Sequence, residues 1–137
     1  MKIAVSTDER APLLESLFCE LKERGHDVTY FGPEKDESMD WPVVTEQAAQ
    51  LVARGEAAEA IVMCWTGTGA SIAANKIKGI RAALCLDGAT AKGARTWNHA
   101  NVLALSLQST NDTTPVSYTH LRAHETREDG GVRGVGG

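Results

Sequence analysis

Five short apolar segments alternate with stretches of helical periodicity through the first hundred or so residues, and that alternation most constrains what this chain can fold into. The segments 2–6, 27–31, 60–64, 81–85 and 102–106 are each short, bounded by turn or helical signals, and read as strands. Between them, Pro12–Arg24 carries Leu13, Leu14, Leu17, Phe18 and Leu21 on one face, and Gly25 stops it. A second helix opens near Pro42 and runs to about Arg54, with Val43, Val44, Ala48, Leu51 and Val52 facing inward. Shorter helices are expected over 71–76 and 89–96. Strands joined through helices make right-handed crossovers and parallel pairs, and a parallel sheet needs cover on both faces. The expected fold is a three-layer α/β/α sandwich around a five-stranded, parallel, doubly wound sheet.

A chain of 137 residues forms one domain. Its net charge of −4 and its lack of any Lys/Arg cluster give no electrostatic footprint for nucleic acid. No apolar run reaches the roughly 18 residues of a membrane span, and the N-terminus carries no signal-peptide pattern. Cys19, Cys64 and Cys85, odd in number and widely spaced, fit reduced thiols better than a disulfide framework. These features predict a cytoplasmic protein without nucleic-acid or membrane partners.

The character changes after about residue 108. The stretch 109–115 is polar and turn-rich, and five glycines fall between 130 and 137. A run so rich in glycine resists ordering and offers little to bury. The segment Val116–Thr126 also resembles translated adapter or vector sequence. The expected domain is therefore 1–111, C-terminally truncated, with 112–137 a non-native or disordered tail. His120 and His124 have the spacing of a metal-binding pair, but Leu121 stands where H-E-x-x-H needs glutamate, so no metal is expected.

The most informative stretch is Cys64-Trp65-Thr66-Gly67-Thr68-Gly69-Ala70-Ser71, continuing to Lys76. An apolar strand delivers a cysteine to its carboxyl end, a glycine turn follows, and a helix begins. Open α/β sheets bind ligands at that edge, and a helix N-terminus favours an anion. Gly67 and Gly69 are expected to let the backbone come close to a ligand. The pattern matches neither a Walker A loop nor G-x-G-x-x-G, where Ile72 stands in place of the third glycine. A thiol near a helix start is a candidate base or nucleophile. On spacing alone, a buried, inert cysteine at the end of a core strand is the better explanation. Cys19, among the leucines of the first helix, and Cys85, at a strand end, read as packing residues.

The block Cys64–Lys76, with 78–84 after it, resembles the signature of the type B ribose-5-phosphate isomerase and galactose-6-phosphate isomerase family. Further similarities lie in 25–28, Phe31-Gly32, Asp40-Trp41-Pro42 and 101–105. The resemblance implies an aldose–ketose isomerase of a small phosphorylated sugar, a pentose phosphate foremost, with tetrose and hexose phosphates as further substrates. It implies a cysteine base, Cys64, working through an enediolate and assisted by Thr66. It implies sugar contacts at Asp8, Glu9, Trp97 and Asn98, and donors for the substrate around Gly67, Thr68, Gly69, Ala70 and Ser71. It also implies a homodimer and no cofactor.

Three departures accompany the resemblance. Glu9 stands where the family has a histidine after the first-strand aspartate. Trp97 replaces the histidine linked with ring opening, and Gln108 stands near a usual arginine. His99 is a candidate replacement for the lost acid–base group. A tetrulose phosphate, lacking a stable ring, would need no ring-opening histidine. The alternative reading is a non-catalytic sugar-phosphate-binding protein derived from this family.

Overall fold

The structure, a computed structural model, describes residues 1–110. The expectation of a foreign tail over 112–137, and the His120–His124 pair, lie outside the described residues. The elements run β1 (Lys2–Thr7), α1 (Pro12–Glu23), β2 (Asp27–Phe31), α2 (Trp41–Ala53), β3 (Glu59–Cys64), α3 (Thr68–Asn75), β4 (Ala82–Leu84), α4 (Gly88–Asn98) and β5 (Val102–Ser106). All four strand pairings are parallel, in the order β2-β1-β3-β5-β4. The five-stranded, doubly wound α/β sandwich expected from the sequence is the fold observed.

The order dictates where the helices go. Right-handed crossovers that move toward β2, or from β4 back to β5, place their helices on one face; crossovers the other way use the opposite face. The packing follows this rule. Leu13, Leu14, Leu17 and Leu21 of α1 and Ala91 and Ala94 of α4 share a core with Ile3, Val5, Ile61, Met63, Leu103 and Leu105. Ala48 and Ala49 of α2 and Ala70 and Ala74 of α3 share the other with Ala4, Ala60, Val62, Cys64, Val102 and Ala104. Strand alternation thus sorts large side chains to the α1/α4 face and small ones to the α2/α3 face. Small side chains on both partners let α2 and α3 lie close to the sheet, and Cys64 belongs to that face.

Several local readings are corrected. Val43 is exposed, because α2 buries Val44, Thr45, Ala48 and Ala49, a stripe turned one position along. Cys19 is also exposed, since it falls on the α1 face opposite Leu14, Leu17 and Leu21. The third helix begins at Thr68 rather than Ser71, with Gly67 as its N-cap in a left-handed conformation (φ 82°). The fourth is longer than expected, because the Asp87 side chain accepts a hydrogen bond from the Thr90 amide and starts it at Gly88.

The unequal faces generate a test. Ala104→Leu should cost about 1–3 kcal/mol in urea unfolding, because α2 and α3 cannot move away without opening the sheet. Leu105→Ala, one residue on but on the other face, should cost about 2–5 kcal/mol through a cavity. An Ala104→Leu variant as stable as wild type would contradict the close-packed face.

Candidate active site

The chain leaves β1 toward β2 on one side and leaves β3 toward β4 on the other, so the loops after these two adjacent strands diverge. Their carboxyl ends flank the crevice that open α/β sheets use for ligands. Asp8 follows β1 and Cys64 ends β3, with Thr7 paired to Met63 one step below.

Cys64 is held by the β3–β5 pairing. It is 5% exposed and stands in register with Ser106. The Leu107 amide donates to the Cys64 carbonyl (3.0 Å), extending the pairing past the strand end. The next carbonyl, of Trp65, accepts from the Gln108 amide (2.8 Å) and the Ser106 hydroxyl (2.9 Å). Ser106 Oγ in turn accepts from the Ser109 amide (3.0 Å). These bonds turn the chain sharply after Cys64, while the Trp65 side chain stays exposed.

The turn that follows depends on its glycines for two different reasons. Gly67 has φ 82°, and a Cβ there would meet Leu84 Cδ1 at 2.6 Å and the Leu105 carbonyl carbon at 3.0 Å. It is glycine so that the turn can sit directly on β4 and β5. Gly69 has a different neighbour: the Trp41 ring fills the space on its Cβ side, with ring carbons 2.9–3.1 Å from where a Cβ would be. Thr66 and Thr68 join hydroxyls at 2.8 Å, and the Thr68 amide reaches Thr66 Oγ1 at 3.4 Å. The first turn of α3 leaves the amides of Gly69 and Ala70 without intrahelical acceptors. Ser71 donates back to the Gly67 carbonyl (3.0 Å).

Asp8 lies in the loop just after β1, on the other side of the point where the two loops diverge. Its Oδ1 is buried and has no hydrogen-bond partner among the described residues. Burial, with the Glu9 charge adding to it, pushes its carboxyl above the usual carboxylate range, against the pull of its own backbone amide. An acceptor without a donor suits a ligand hydroxyl. Glu9 itself is exposed and bridges by backbone to Ser38.

Trp97, Asn98 and His99 are elsewhere. They close α4 at the opposite edge of the sheet, where the Asn98 carbonyl accepts from Arg81 Nε (2.6 Å) just before β4. The length of β5 alone, four steps of about 3.3 Å, separates that edge from Cys64 by roughly 13 Å. Trp97 is 79% exposed, its ring lying over Gly93. One chain therefore brings together Cys64, Thr66, Gly67, Thr68, Gly69, Ala70, Ser71, Asp8 and Glu9, but not Trp97 or Asn98, and His99 does not stand beside Cys64. Cys85 is buried, and burial with the Asp87 charge pushes its thiol up to about 11, which keeps it inert. Among the described residues, no three His, Cys, Asp or Glu side chains could hold a metal, and no helix is long and apolar enough to cross a membrane.

The family model described as Ribose/Galactose Isomerase matches residues 3–128. The chain belongs to that family. It is 40% identical over 106 residues to a galactose-6-phosphate isomerase subunit LacB of Clostridium acetobutylicum, spanning 77% of this chain and 61% of that one. It is 41% identical over 104 residues to ribose-5-phosphate isomerase B of Escherichia coli (75% and 70%), and 36% identical over 107 residues to a D-erythrulose-4-phosphate isomerase of Pectobacterium atrosepticum (77% and 70%). The structure superposes on that of Clostridium thermocellum ribose-5-phosphate isomerase B with a TM-score of 0.84, at 35% identity, covering 94% of each chain. The family expected from the Cys64–Lys76 block is the family found.

Sequence reasoning passed over Ser106, whose hydroxyl helps fix the turn, and it treated Trp41 only as part of a resemblance. A serine ending an apolar strand and a tryptophan before a helical proline carry no signal of their own.

Two outcomes are expected. Gly67→Ala should destabilise the protein by roughly 2–4 kcal/mol, since the left-handed backbone and the contact with Leu105 both oppose a Cβ; urea unfolding measures this. Asp8→Asn should not lower Tm at pH 7. The folded carboxyl titrates above its ordinary value of 3.8, so the wild type loses stability as pH rises through the folded pKa and regains it as pH falls. The Tm gap between Asp8→Asn and wild type should therefore narrow toward pH 4. A gap that widens on acidification would show that the Asp8 carboxylate is stabilised, not penalised, by its surroundings.

Proposed function

We propose that this protein interconverts an aldose phosphate and its ketose phosphate through an enediolate, with Cys64 as the base. The observation that carries this reading is the near-buried Cys64 at the carboxyl end of β3, immediately before the free-amide turn of α3, in a chain of the Ribose/Galactose Isomerase family. Isomerisation removes a proton from the carbon beside the carbonyl and returns it to the neighbouring carbon. One base within hydrogen-bond reach serves both steps. Cys64 Sγ takes the proton, the C–H electron pair becomes the enediolate double bond, and negative charge moves to the carbonyl oxygen. The amides of Gly69 and Ala70 face developing charge of that kind, and preorganised donors stabilise it. Thr66 holds a sugar oxygen or hands a proton to it, and Asp8 accepts from a sugar hydroxyl. The chemistry needs no cofactor, and the cytoplasm is the compartment that suits a reduced thiol.

Ribose 5-phosphate is the first substrate to test. The replacement of the ring-opening position by Trp97 favours a tetrulose phosphate as the second, since that sugar has no stable ring to open.

The remote position of Asn98 bears on assembly. A site that uses Asn98 together with Cys64 takes Asn98 from a second copy, which supports a homodimer with sites at the subunit boundary. Mixing inactive Cys64→Ala and Asn98→Ala proteins would then restore turnover, because each mixed dimer holds one site with both residues intact. No restoration from two well-folded variants would reject the shared site.

Cys64→Ala should lower kcat/KM for ribose 5-phosphate or a tetrulose phosphate by far more than tenfold, with the loss in kcat and Tm nearly unchanged. Retention of more than about a tenth of wild-type kcat/KM would reject Cys64 as the base. A wild type that binds these sugar phosphates without turning them over would favour a binding protein.

A further inference from the structure

We infer that Trp41 is a positioning residue of this site, whose indole sets the first turn of α3 against the loop that carries Asp8. The inference rests on the isomerase reading above and concerns what holds its donors in place.

The first turn of α3 rests on β4 and β5 at Gly67, and its other side is covered by Trp41. Its N-cap, Gly67, has no side chain to cap it, and the one side-chain bond at the helix start is the long contact from the Thr68 amide to Thr66 Oγ1 (3.4 Å). The next residues, Thr68 through Ala70, bring only the Thr66–Thr68 hydroxyl contact and the buried Ala70 methyl. Trp41 supplies the contact on the outer side, its ring carbons lying against Gly69.

Trp41 is itself placed by the Asp8 loop. The Met39 amide donates to the Asp8 carbonyl (2.8 Å), and Glu9 bridges to Ser38 in antiparallel fashion. The Asp40 carbonyl then accepts from Val43 (3.1 Å) and Val44 (3.2 Å), starting α2 with Trp41 as its first residue. Pro42 follows in the first turn, where its missing N–H leaves no helical bond unmade. A continuous path therefore runs from Asp8 through residues 38–41 and the indole to Gly69. The ring is 39% exposed, so one part packs on the turn while the rest borders the cleft between α2 and α3, a space of about 770 Å³ that also touches Ile72 and Lys76.

The path matters because the chemistry needs a hydroxyl acceptor and oxyanion donors held at one fixed separation. A displacement of about 1 Å in such a constellation costs on the order of a hundredfold in rate. It also assigns Gly69 a reason of its own: any Cβ there would push against the ring.

The test is a double-substitution cycle with ribose 5-phosphate and a tetrulose phosphate as substrates. Trp41→Ala should lower kcat by about tenfold or more, and Trp41→Phe, whose ring stops short of the indole edge that lies against Gly69, should recover only part of it. Gly69→Ala alone should cost about as much as Trp41→Ala. Added to Trp41→Ala it should cost little more, because the atom it collides with is gone. Full kcat in Trp41→Ala, with only Tm lowered, would reduce the residue to packing and overturn the inference. Additive losses from the two substitutions would do the same. A wild type inactive on both substrates would instead overturn the isomerase reading and this inference with it, while the Tm values of the same four proteins still report whether ring and glycine are coupled.

Discussion

The pairing of β3 with β5 beyond their formal ends is the interaction on which the rest of the site depends. Two successive carbonyls, of Cys64 and Trp65, receive three donors from Leu107, Gln108 and Ser106. Buried backbone acceptors are costly to leave unsatisfied, so this arrangement is stiff. It determines where the thiol sits and where the chain must turn. Once the turn is placed on β4 and β5, only glycine fits at position 67, and the left-handed backbone there aims α3 down the small-residue face.

The division of the sheet into a large-residue face and a small-residue face carries the same logic through the core. Alanines on α2, α3 and the facing strand positions let both helices approach the sheet. That approach brings the first residue of α2 against the first turn of α3 at the edge where Cys64 and Asp8 emerge. The leucine-rich α1 face supplies bulk hydrophobic burial.

Much of this was legible before any coordinates. The alternation of apolar strands and helical faces identified the fold, because parallel strands must be covered on both sides. The glycine turn after Cys64 marked the candidate edge, because ligands in such sheets bind where a strand ends before a helix start. Three things were hidden. Burial of the Thr45 stripe rather than Val43, and exposure of Cys19, hinge on a single step of helical rotation that an apolar count does not resolve. The reason for Gly69 lies in Trp41, twenty-eight positions away and brought close only by the packing of α2 on α3. The remote position of Trp97 and Asn98 follows from the direction of α4, which descends from β4 and ends where β5 begins; motif similarity alone places residues in one list without saying which edge they occupy.

The central claim is that a proton leaves carbon, resides on Cys64 and returns. Isomerisation of ribose 5-phosphate, or of a tetrulose phosphate, in deuterium oxide tests it directly. A sulfur-borne proton exchanges with solvent in some turnovers, so deuterium should appear at the carbon that receives it in the product, and in recovered substrate after many turnovers. Cys64→Ser should slow conversion and exchange together. Product that forms over many turnovers without any carbon-bound deuterium would mean that hydrogen moves between the two carbons without visiting an exchangeable base, and would contradict the account.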